Sequence, residues 1–181
     1  MDNKKRSVIW LVRTAGLIAL LVATQWATAG FGQFITGTCV NAVLAVAVQV
    51  CGLWSGIVVA LLSPFWAFLL GIGPKLITVV PVIALGNTVL VLLLYMIIGT
   101  GKATILKQAL GIVAAAAAKF AVLYLLVVQM LVPLMGDALP VKQVETFRIM
   151  FSWPQLVTAL AGSILAALVV PVIRKAVTKK V

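Results

Sequence analysis

The sequence predicts an all-α polytopic membrane protein with six transmembrane helices and both termini in the cytoplasm. Hydrophobic residues make up 64% of the 181 residues and charged residues only 9%, whereas soluble domains are about one quarter charged. The mean hydropathy is +1.26. No charged residue occurs between Thr14 and Pro74, and at about 20 residues per spanning helix this run has room for up to three crossings. The apolar runs are continuous rather than alternating, which disfavours a transmembrane β-barrel.

Breaks in the apolar pattern divide the chain into these helices. The predicted helices of this single domain, residues 1–181, run approximately over 7–27, 39–50, 53–70, 76–98, 102–131 and 152–175. The first follows a basic N-terminus, and the Gly- and Thr-containing stretch Gly30–Thr38 then predicts a non-helical link. Gly52 marks a turn between the second and third helices, and Gly71–Pro74 is a strong break after the third.

The last three helices have boundaries of the same kind. The fourth ends at Gly99-Thr100-Gly101, and the fifth is longer than a bilayer requires. The polar segment Gly136–Arg148 is expected to lie at the membrane interface. Ser152-Trp153-Pro154 then opens the sixth helix, since serine followed by a first-turn proline is typical of a helix N-terminus.

The distribution of charge predicts the topology. The net charge is +11, and Asp2, Asp137 and Glu145 carry the only carboxylate side chains. With six crossings, both basic termini and the basic stretch after the fourth helix fall on one side, which the positive-inside rule makes cytoplasmic. We therefore predict a multi-pass protein of the cell membrane. Nucleic acid is not an expected partner, because no basic soluble domain is left over.

The sequence lacks the residues that most enzymes need. Histidine is absent, so neither a zinc site nor a histidine-based triad can be built from this chain alone. Cys39 and Cys51 would lie roughly 18 Å apart on one helix, whereas a disulfide needs Cα atoms within about 7 Å. No Gly-rich Lys-Ser/Thr loop occurs, so any energy from ATP must come from a partner. We predict a binding or transport protein, not an enzyme, with no cofactor and no metal.

Lys119 is the most informative single residue. It lies inside the predicted fifth helix, about 25 Å of helical rise from Lys102, which argues against a lysine that extends to the near interface. Charges inside a membrane are costly and usually face a cavity or a partner. No predicted helix contains a carboxylate to neutralise it. Lys119 therefore binds an anionic ligand, contacts backbone carbonyls, or loses its proton in apolar surroundings.

Further polar and aromatic residues are candidates for a substrate site. Asn87 lies in the fourth helix, and Asn41 and Gln33 lie near the second; such amides either cross-link helices or bind substrate. Lys75 is expected at the outer turn after the third helix, where it is an interface anchor or adds positive charge to an outer cavity. Trp153 and Gln155 begin the sixth helix and belong either to an aromatic belt or to a pocket rim.

A row of alanines occupies the first helix. Ala15, Ala19, Ala23 and Ala27 recur every four residues and so lie along one face, with Arg13 just before the row. Small-residue rows let helices approach closely in a bilayer. The row predicts a docking strip for another helix, which belongs either to another subunit or to the same chain.

These residues resemble a known family. The pattern Arg13-x-Ala15-xxx-Ala19-xxx-Ala23 is similar to the alanine motif in the first helix of the substrate-binding S components of energy-coupling factor (ECF) transporters. The stretches Ile35–Val43, Leu61–Pro74, Val80–Asn87 and Trp153–Leu156 resemble the entrance of the second helix, the helices that follow it, and the start of the last helix.

The resemblance implies a membrane subunit that captures a vitamin or related micronutrient from outside. It implies partners, namely a transmembrane coupling subunit and two cytoplasmic ATPases, with Ala15, Ala19 and Ala23 contacting the coupling subunit. It also implies a ligand site near the outer face, with Lys119, Asn87, Trp153 and Gln155 as candidates. Because the membrane interior offers a base and no acid, we expect an anionic ligand.

Two other function classes remain open. One is a stand-alone channel or secondary transporter that oligomerises through the alanine row. Proton-coupled carriers commonly use intramembrane carboxylates, and the predicted helices contain none. The other is a structural or assembly subunit of the membrane with no small ligand.

Overall fold

The computed structural model describes residues 3–74, 76–135 and 138–178, and every regular element in these ranges is helical. The helices are α1 (Asn3–Thr28), α2 (Gly32–Val46), α3 (Leu53–Leu69), α4 (Val80–Ile97), α5 (Ile105–Leu123), α6 (Val132–Met135), α7 (Val141–Met150) and α8 (Trp153–Thr178). Short 3₁₀ segments, Ala29–Phe31 and Ile77–Val79, precede α2 and α4. Segments of π-helix, Ala47–Cys51 and Tyr124–Leu131, extend α2 and α5. The predicted all-α class is confirmed for the described residues.

Several of these helices have the length and composition of membrane spans. Four helical runs in the described ranges qualify: Lys4–Cys51, Ile77–Ile97, Ile105–Met135 and Val141–Ala176. The first contains 48 residues and includes both α1 and α2, while α3 is apolar but shorter than the others. Six crossings and cytoplasmic termini remain predictions.

The expected non-helical link over Gly30–Thr38 is wrong. One turn of 3₁₀-helix follows α1, and α2 already begins at Gly32, whose φ of 80° redirects the chain in a conformation that glycine adopts without strain. The Thr36 hydroxyl donates a hydrogen bond of 2.7 Å to the Thr28 carbonyl and fastens the start of α2 to the end of α1. One glycine is enough for the turn, so the second helix begins several residues before the predicted 39–50 segment.

Other boundaries shift in the same way. The fifth helix begins at Ile105 rather than 102, because the Thr104 hydroxyl accepts a hydrogen bond of 3.3 Å from the Lys107 backbone N–H and caps it. Most of the segment expected at the interface forms α7, whose buried residue Phe147 anchors it to the rest of the molecule. Gly136 and Asp137 lie outside the described residues.

The closest helix packing joins α2 and α8. A Cβ atom built on Gly162 of α8 would lie 2.5 Å from the Thr38 carbonyl oxygen and 2.6 Å from Asn41 Cβ, both in α2. No side chain fits at Gly162, so this glycine sets the distance between the two helices. Its position brings α2 and the polar residues of α8 together.

Two groups of buried apolar side chains form the core. The larger lies among α1 to α5 and α8 and includes Leu21, Leu44 and Leu90. The smaller joins the segments around α4, α5 and α7 and includes Leu123 and Phe147. Dispersion and close packing hold these contacts in a bilayer, where lipid tails are as apolar as the side chains themselves.

Candidate functional site

A partly open cavity of about 270 Å³ is lined by α1 to α5, α8, the segment after α3 and the end of α7. Each of α1 to α5 and α8 contributes one polar side chain or more to it. These are Gln25 (α1), Gln33, Thr36 and Asn41 (α2), Ser63 (α3), Asn87 (α4), Lys119 (α5), and Gln155 and Thr158 (α8). The rest of the lining is mainly apolar, as in Val40, Phe68 and Ile83. An apolar pocket with a few converging polar groups is typical of small-molecule sites.

Lys119 lies at the centre of the polar groups. Its side chain is only 3% exposed. Its Nζ donates hydrogen bonds of 2.6 Å to Asn41 Oδ1 and 2.7 Å to Asn87 Oδ1. One lysine therefore ties α5 to both α2 and α4, since a buried charge is tolerated only with polar partners.

The hydrogen bonds continue from Asn41 into α8. Asn41 Nδ2 lies 3.4 Å from the Thr158 hydroxyl, which itself donates to the Gln155 carbonyl at 3.3 Å. Because Oδ1 of Asn41 accepts from lysine, its Nδ2 has to act as the donor. The orientation of this amide is thus fixed by its neighbours.

In the described ranges, Lys119 is the only basic group that lines the cavity. Among the described residues, no aspartate or glutamate lines the cavity, and Glu145 is exposed on α7. An ammonium group has three donors, and Lys119 uses two of them on asparagine oxygens. Amide oxygens can solvate a positive charge on this lysine but do not cancel it.

Three further amides, those of Gln33, Gln155 and Gln25, line the cavity and bond to main-chain carbonyls rather than to Lys119. Gln33 Nε2 and Gln155 Nε2 both donate to the Met150 carbonyl, at 2.6 Å and 3.0 Å. Gln25 Nε2 donates to the Ser63 carbonyl at 3.1 Å and lies 3.4 Å from the Ser63 hydroxyl oxygen. These bonds join α1 to α3, and α2 and α8 to the end of α7.

The alanine row forms a separate surface. Ala15, Ala19 and Ala23 are exposed and line an apolar groove beside Trp26 and Trp66. The opposite face of α1 is buried inside the protein at Thr14, Leu21 and Gln25. The chain's own helices thus use one face of α1 and leave the alanine face uncovered.

A comparison with models of protein families assigns the chain to one family. The model of the substrate-specific component of ECF transporters matches residues 10–174. The chain belongs to this family. Its matched region includes the alanine row, every helix from α2 to α7, and most of α8. A comparison with curated proteins found no match, and a comparison with solved structures found none either.

Membership confirms the resemblance read from the sequence. As a substrate-specific component, or S component, the protein is a membrane-embedded binding subunit of a transporter and not an enzyme. S components bind small molecules and associate with a coupling subunit and ATPases. The apolar helices and the family together make this a multi-pass protein of the cell membrane.

The cavity of this S component brings together most of the residues predicted for a substrate site. Lys119, Asn87, Asn41, Gln33 and Gln155 all line it. Their role in binding remains a prediction.

One predicted substrate residue, Trp153, is not among the described lining residues. Trp153 is 58% exposed and packs its ring 5.5 Å from that of Phe34, outside the cavity. A tryptophan at the first turn of a membrane helix faces the interface more readily than a polar pocket. Lys75 lies outside the described residues.

Two predicted docking residues also differ from the rest of the row. Ala27 is exposed but is not among the residues that line the groove. Arg13 is exposed and lines a different pocket, with Arg6 and Cys51. At 100° per residue, Arg13 points away from Ala15, so it does not share the alanine face.

Sequence reasoning missed several polar lining residues of this S component, among them Gln25 and Ser63. Gln25 and Ser63 both lie in the long stretch without charged residues, and their hydrogen-bonded partnership joins α1 to α3. Polar side chains in such a stretch usually face the protein interior, so their composition alone was a usable signal. The spacing of these residues in the sequence does not show which helix each side chain faces.

Proposed function

We propose that this S component binds a small anionic vitamin or related micronutrient in the cavity, for import by an ECF transporter. The observation that carries the proposal is Lys119, a buried cation whose described neighbours in the cavity are amides and no carboxylate. An anionic group that reaches Lys119 gains a charge-assisted hydrogen bond in apolar surroundings, where such bonds are strong. Asn41 and Asn87 hold the lysine in place for this contact.

The cavity is proposed to open on the outer face. Gln155, which lines it, and Arg174 both lie on α8, separated by about 28 Å of helical rise. Arg174 donates hydrogen bonds of 2.8 Å to the Gln49 carbonyl and 2.6 Å to the Gly101 carbonyl. Basic residues gather at that end, beside Lys102 and Lys175. The positive-inside rule places it in the cytoplasm, and the cavity therefore faces outward.

The alanine groove is proposed to receive a helix of the coupling subunit. Its lining at Ala15, Ala19 and Ala23 is exposed, shallow and apolar, which favours close helix approach in a bilayer. Trp26 and Trp66 extend the contact surface at one end. Because α1 buries its other face within the protein, ligand binding and docking use different sides of the same helix.

Thermal-shift screening of the purified protein tests the ligand proposal. Pairs of compounds that differ mainly in charge, such as pantothenate and panthenol or nicotinate and nicotinamide, join a wider set of anions and cations. We expect stabilisation by an anionic compound, lost in Lys119→Ala and retained in Lys142→Ala, a substitution of an exposed lysine on α7. Stabilisation by cations alone, or an unchanged response in Lys119→Ala, would contradict the anionic proposal.

Affinity purification tests the assembly proposal. The tagged chain, extracted from membranes in mild detergent, is expected to recover a larger membrane subunit together with two ATPases. Recovery of copies of this chain alone, with uptake into vesicles that contain no ATPase, would favour a stand-alone transporter instead.

A further inference from the structure

Three glutamines that line the cavity each direct their side-chain nitrogen, Nε2, towards a main-chain carbonyl. Gln33 and Gln155 each donate from Nε2 to the Met150 carbonyl, and Gln25 donates from Nε2 to the Ser63 carbonyl. A carbonyl oxygen can only accept hydrogen bonds, and with two lone pairs the Met150 carbonyl accepts both of its donors. Exchanging N and O in any of these amides would set two oxygens against each other. The orientation of all three amides is therefore determined by their partners.

This orientation leaves the Oε1 atoms of all three glutamines without a donor among the described residues. Within the described part of the chain, no residue donates a hydrogen bond to Oε1 of Gln33, Gln155 or Gln25. Gln25 is only 2% exposed and its Oε1 is buried, whereas the other two side chains are half-buried. An acceptor without a donor lowers stability, so the oxygens of the half-buried Gln33 and Gln155 gain from a donor that a ligand brings. Gln25 Oε1 is closed off in this structure.

Around Lys119 the side-chain amides are arranged the other way, with their oxygens bonded and their nitrogens left as donors. The Oδ1 atoms of Asn41 and Asn87 accept from Lys119 Nζ, which leaves their Nδ2 groups as donors. Asn41 Nδ2 lies within reach of the Thr158 hydroxyl, while Asn87 Nδ2 donates to no described residue. This part of the cavity offers N–H donors to a ligand, and its oxygens are already occupied.

We propose that the cavity selects a ligand with two distinct parts: an anionic group held by Lys119 and Asn87, and separate N–H or O–H donors received by the glutamine oxygens. This inference rests on the proposed function and adds the second requirement to it. Candidate ligands are carboxylates or phosphates that also carry hydroxyl, amide or amine groups. Gln33 and Gln155 are the specificity-determining residues in this arrangement, and Gln25 lies beside them in the cavity lining.

A ligand has to meet both requirements, so the cavity discriminates between ligands more strongly than a single charge contact would. A carboxylate without N–H or O–H groups would satisfy Lys119 but would displace water from the glutamine oxygens without replacing its hydrogen bonds. Sites built around hydrogen bonds reject such analogues strongly, because their polar groups are then left unpaired. We expect about tenfold or greater loss of affinity for each unsatisfied oxygen.

The experiment uses the purified full-length protein and a defined probe. The probe is a small-molecule extract to which four carboxylates are added: pantothenate and biotin, which carry N–H or O–H donors, and nicotinate and lipoate, which carry none. Compounds retained after washing are identified by mass spectrometry. The compound retained most strongly is then titrated by thermal shift against wild type, Gln33→Met, Gln155→Met and Gln25→Met.

A matched control separates specificity from stability. Gln108→Met changes a glutamine whose Nε2 also bonds a main-chain carbonyl, that of Ala103, but which is not among the residues that line the cavity. The expected result is that retained compounds carry both an anionic group and a donor, and that Gln33→Met and Gln155→Met each weaken binding about tenfold while Gln108→Met does not. These two side chains are half-buried, so the test stands even if the buried Gln25→Met variant fails to fold.

The outcomes of this experiment distinguish a failure of this inference from a failure of the proposed function on which it rests. Retention of an anionic compound without N–H or O–H groups, or unchanged binding in both half-buried variants, would overturn the inference and leave the proposed function intact. Retention of neutral or cationic compounds alone, or of nothing, would contradict the proposed function and the inference with it.

Discussion

Lys119 Nζ donates a hydrogen bond of 2.6 Å to Asn41 Oδ1, joining α5 to α2 across 78 residues of sequence. The same nitrogen bonds Asn87 Oδ1 of α4 at 2.7 Å. Three helices thus meet at one positive charge beside the cavity. The two hydrogen bonds fix the position of the lysine amino group, which the proposed anion site requires.

Asn87→Asp is expected to abolish anion binding while the protein still folds. The new carboxylate would lie where Oδ1 now accepts from Lys119, and the resulting ion pair would neutralise the cavity. We expect affinity for the anionic ligand to fall at least about 100-fold, as expected when a charge-assisted contact of roughly 3 kcal/mol is lost. Thermal-shift titration measures the loss.

Asn87→Leu is the control for this change. Its side chain has the same branching and the same number of heavy atoms but no charge, so it adds no carboxylate, and Lys119 keeps one partner, Asn41. Anion binding should weaken less in Asn87→Leu than in Asn87→Asp. Equal losses in the two variants would mean that Asn87 acts through packing rather than through the charge of the cavity.

Gly162→Ala is expected to separate α2 from α8. The added Cβ would lie 2.5 Å from the Thr38 carbonyl oxygen and 2.7 Å from the Ala42 nitrogen, and backbone atoms cannot yield as a flexible side chain does. Overpacking of this kind costs about 1–3 kcal/mol. Thermal unfolding in detergent should show a lower midpoint, and ligand affinity should fall because Asn41 moves with α2.

Gly16→Ala supplies the comparison. A Cβ at Gly16 of α1 meets nothing within 4 Å, so the same change of residue is expected to leave the midpoint unchanged or to raise it through helix propensity. A lower midpoint in both variants would assign the effect to something other than the contact between α2 and α8.

The sequence indicated which residues line the cavity better than how they meet. Lys119, Asn41 and Asn87 stand out because polar groups inside apolar helices are costly and rarely face lipid. Their convergence was not predictable, since they lie on three helices and the spacing within one helix says nothing about its rotation relative to another. Gln25 was overlooked because its partner, Ser63, is 38 residues away.

The predicted start of the second helix was wrong because every glycine in the stretch before it was interpreted as a break in the chain. The stretch from Gly30 to Thr38 contains three glycines and was expected to be a link, yet only Gly32 adopts a positive φ there, and helix resumes at once. Gly37 instead lies against Thr158, where a Cβ would meet its methyl carbon at 3.1 Å. A glycine that permits close packing and one that turns the chain look alike in a single sequence.

Arg174→Met is expected to destabilise the end of the protein away from the cavity. Arg174 donates to the carbonyls of Gln49, in the π-helical segment, and of Gly101, before α5. Hydrogen bonds from a charged donor contribute about 1.5–3 kcal/mol each, less where solvent reaches them, so a loss of roughly 2 kcal/mol is expected. Chemical or thermal unfolding measures it.

The neighbouring Lys175 provides the reference for this variant. It is exposed, and Lys175→Met removes the same charge from the same turn of α8. If Lys175→Met destabilised the protein as much as Arg174→Met, the cause would be the charge of the basic end rather than the two carbonyl contacts.

Ala19→Leu and Ala23→Leu are expected to abolish assembly with the coupling subunit while leaving ligand binding intact. Both alanines are exposed in the groove, so a larger side chain fills the space that a partner helix needs but displaces nothing within the protein. Exposed substitutions usually change stability by no more than about 0.5 kcal/mol. Copurification of the coupling subunit and thermal-shift titration of ligand give the two readouts.

Ala109→Leu tests whether the position matters. Ala109 is exposed on α5, is not among the residues that line the groove, and receives the same change in volume. Assembly should survive in Ala109→Leu and fail in Ala19→Leu. If Ala19→Leu instead lost ligand binding and assembly together, the row would be internal packing that supports Gln25 on the buried face of α1, and the groove would not be a docking surface.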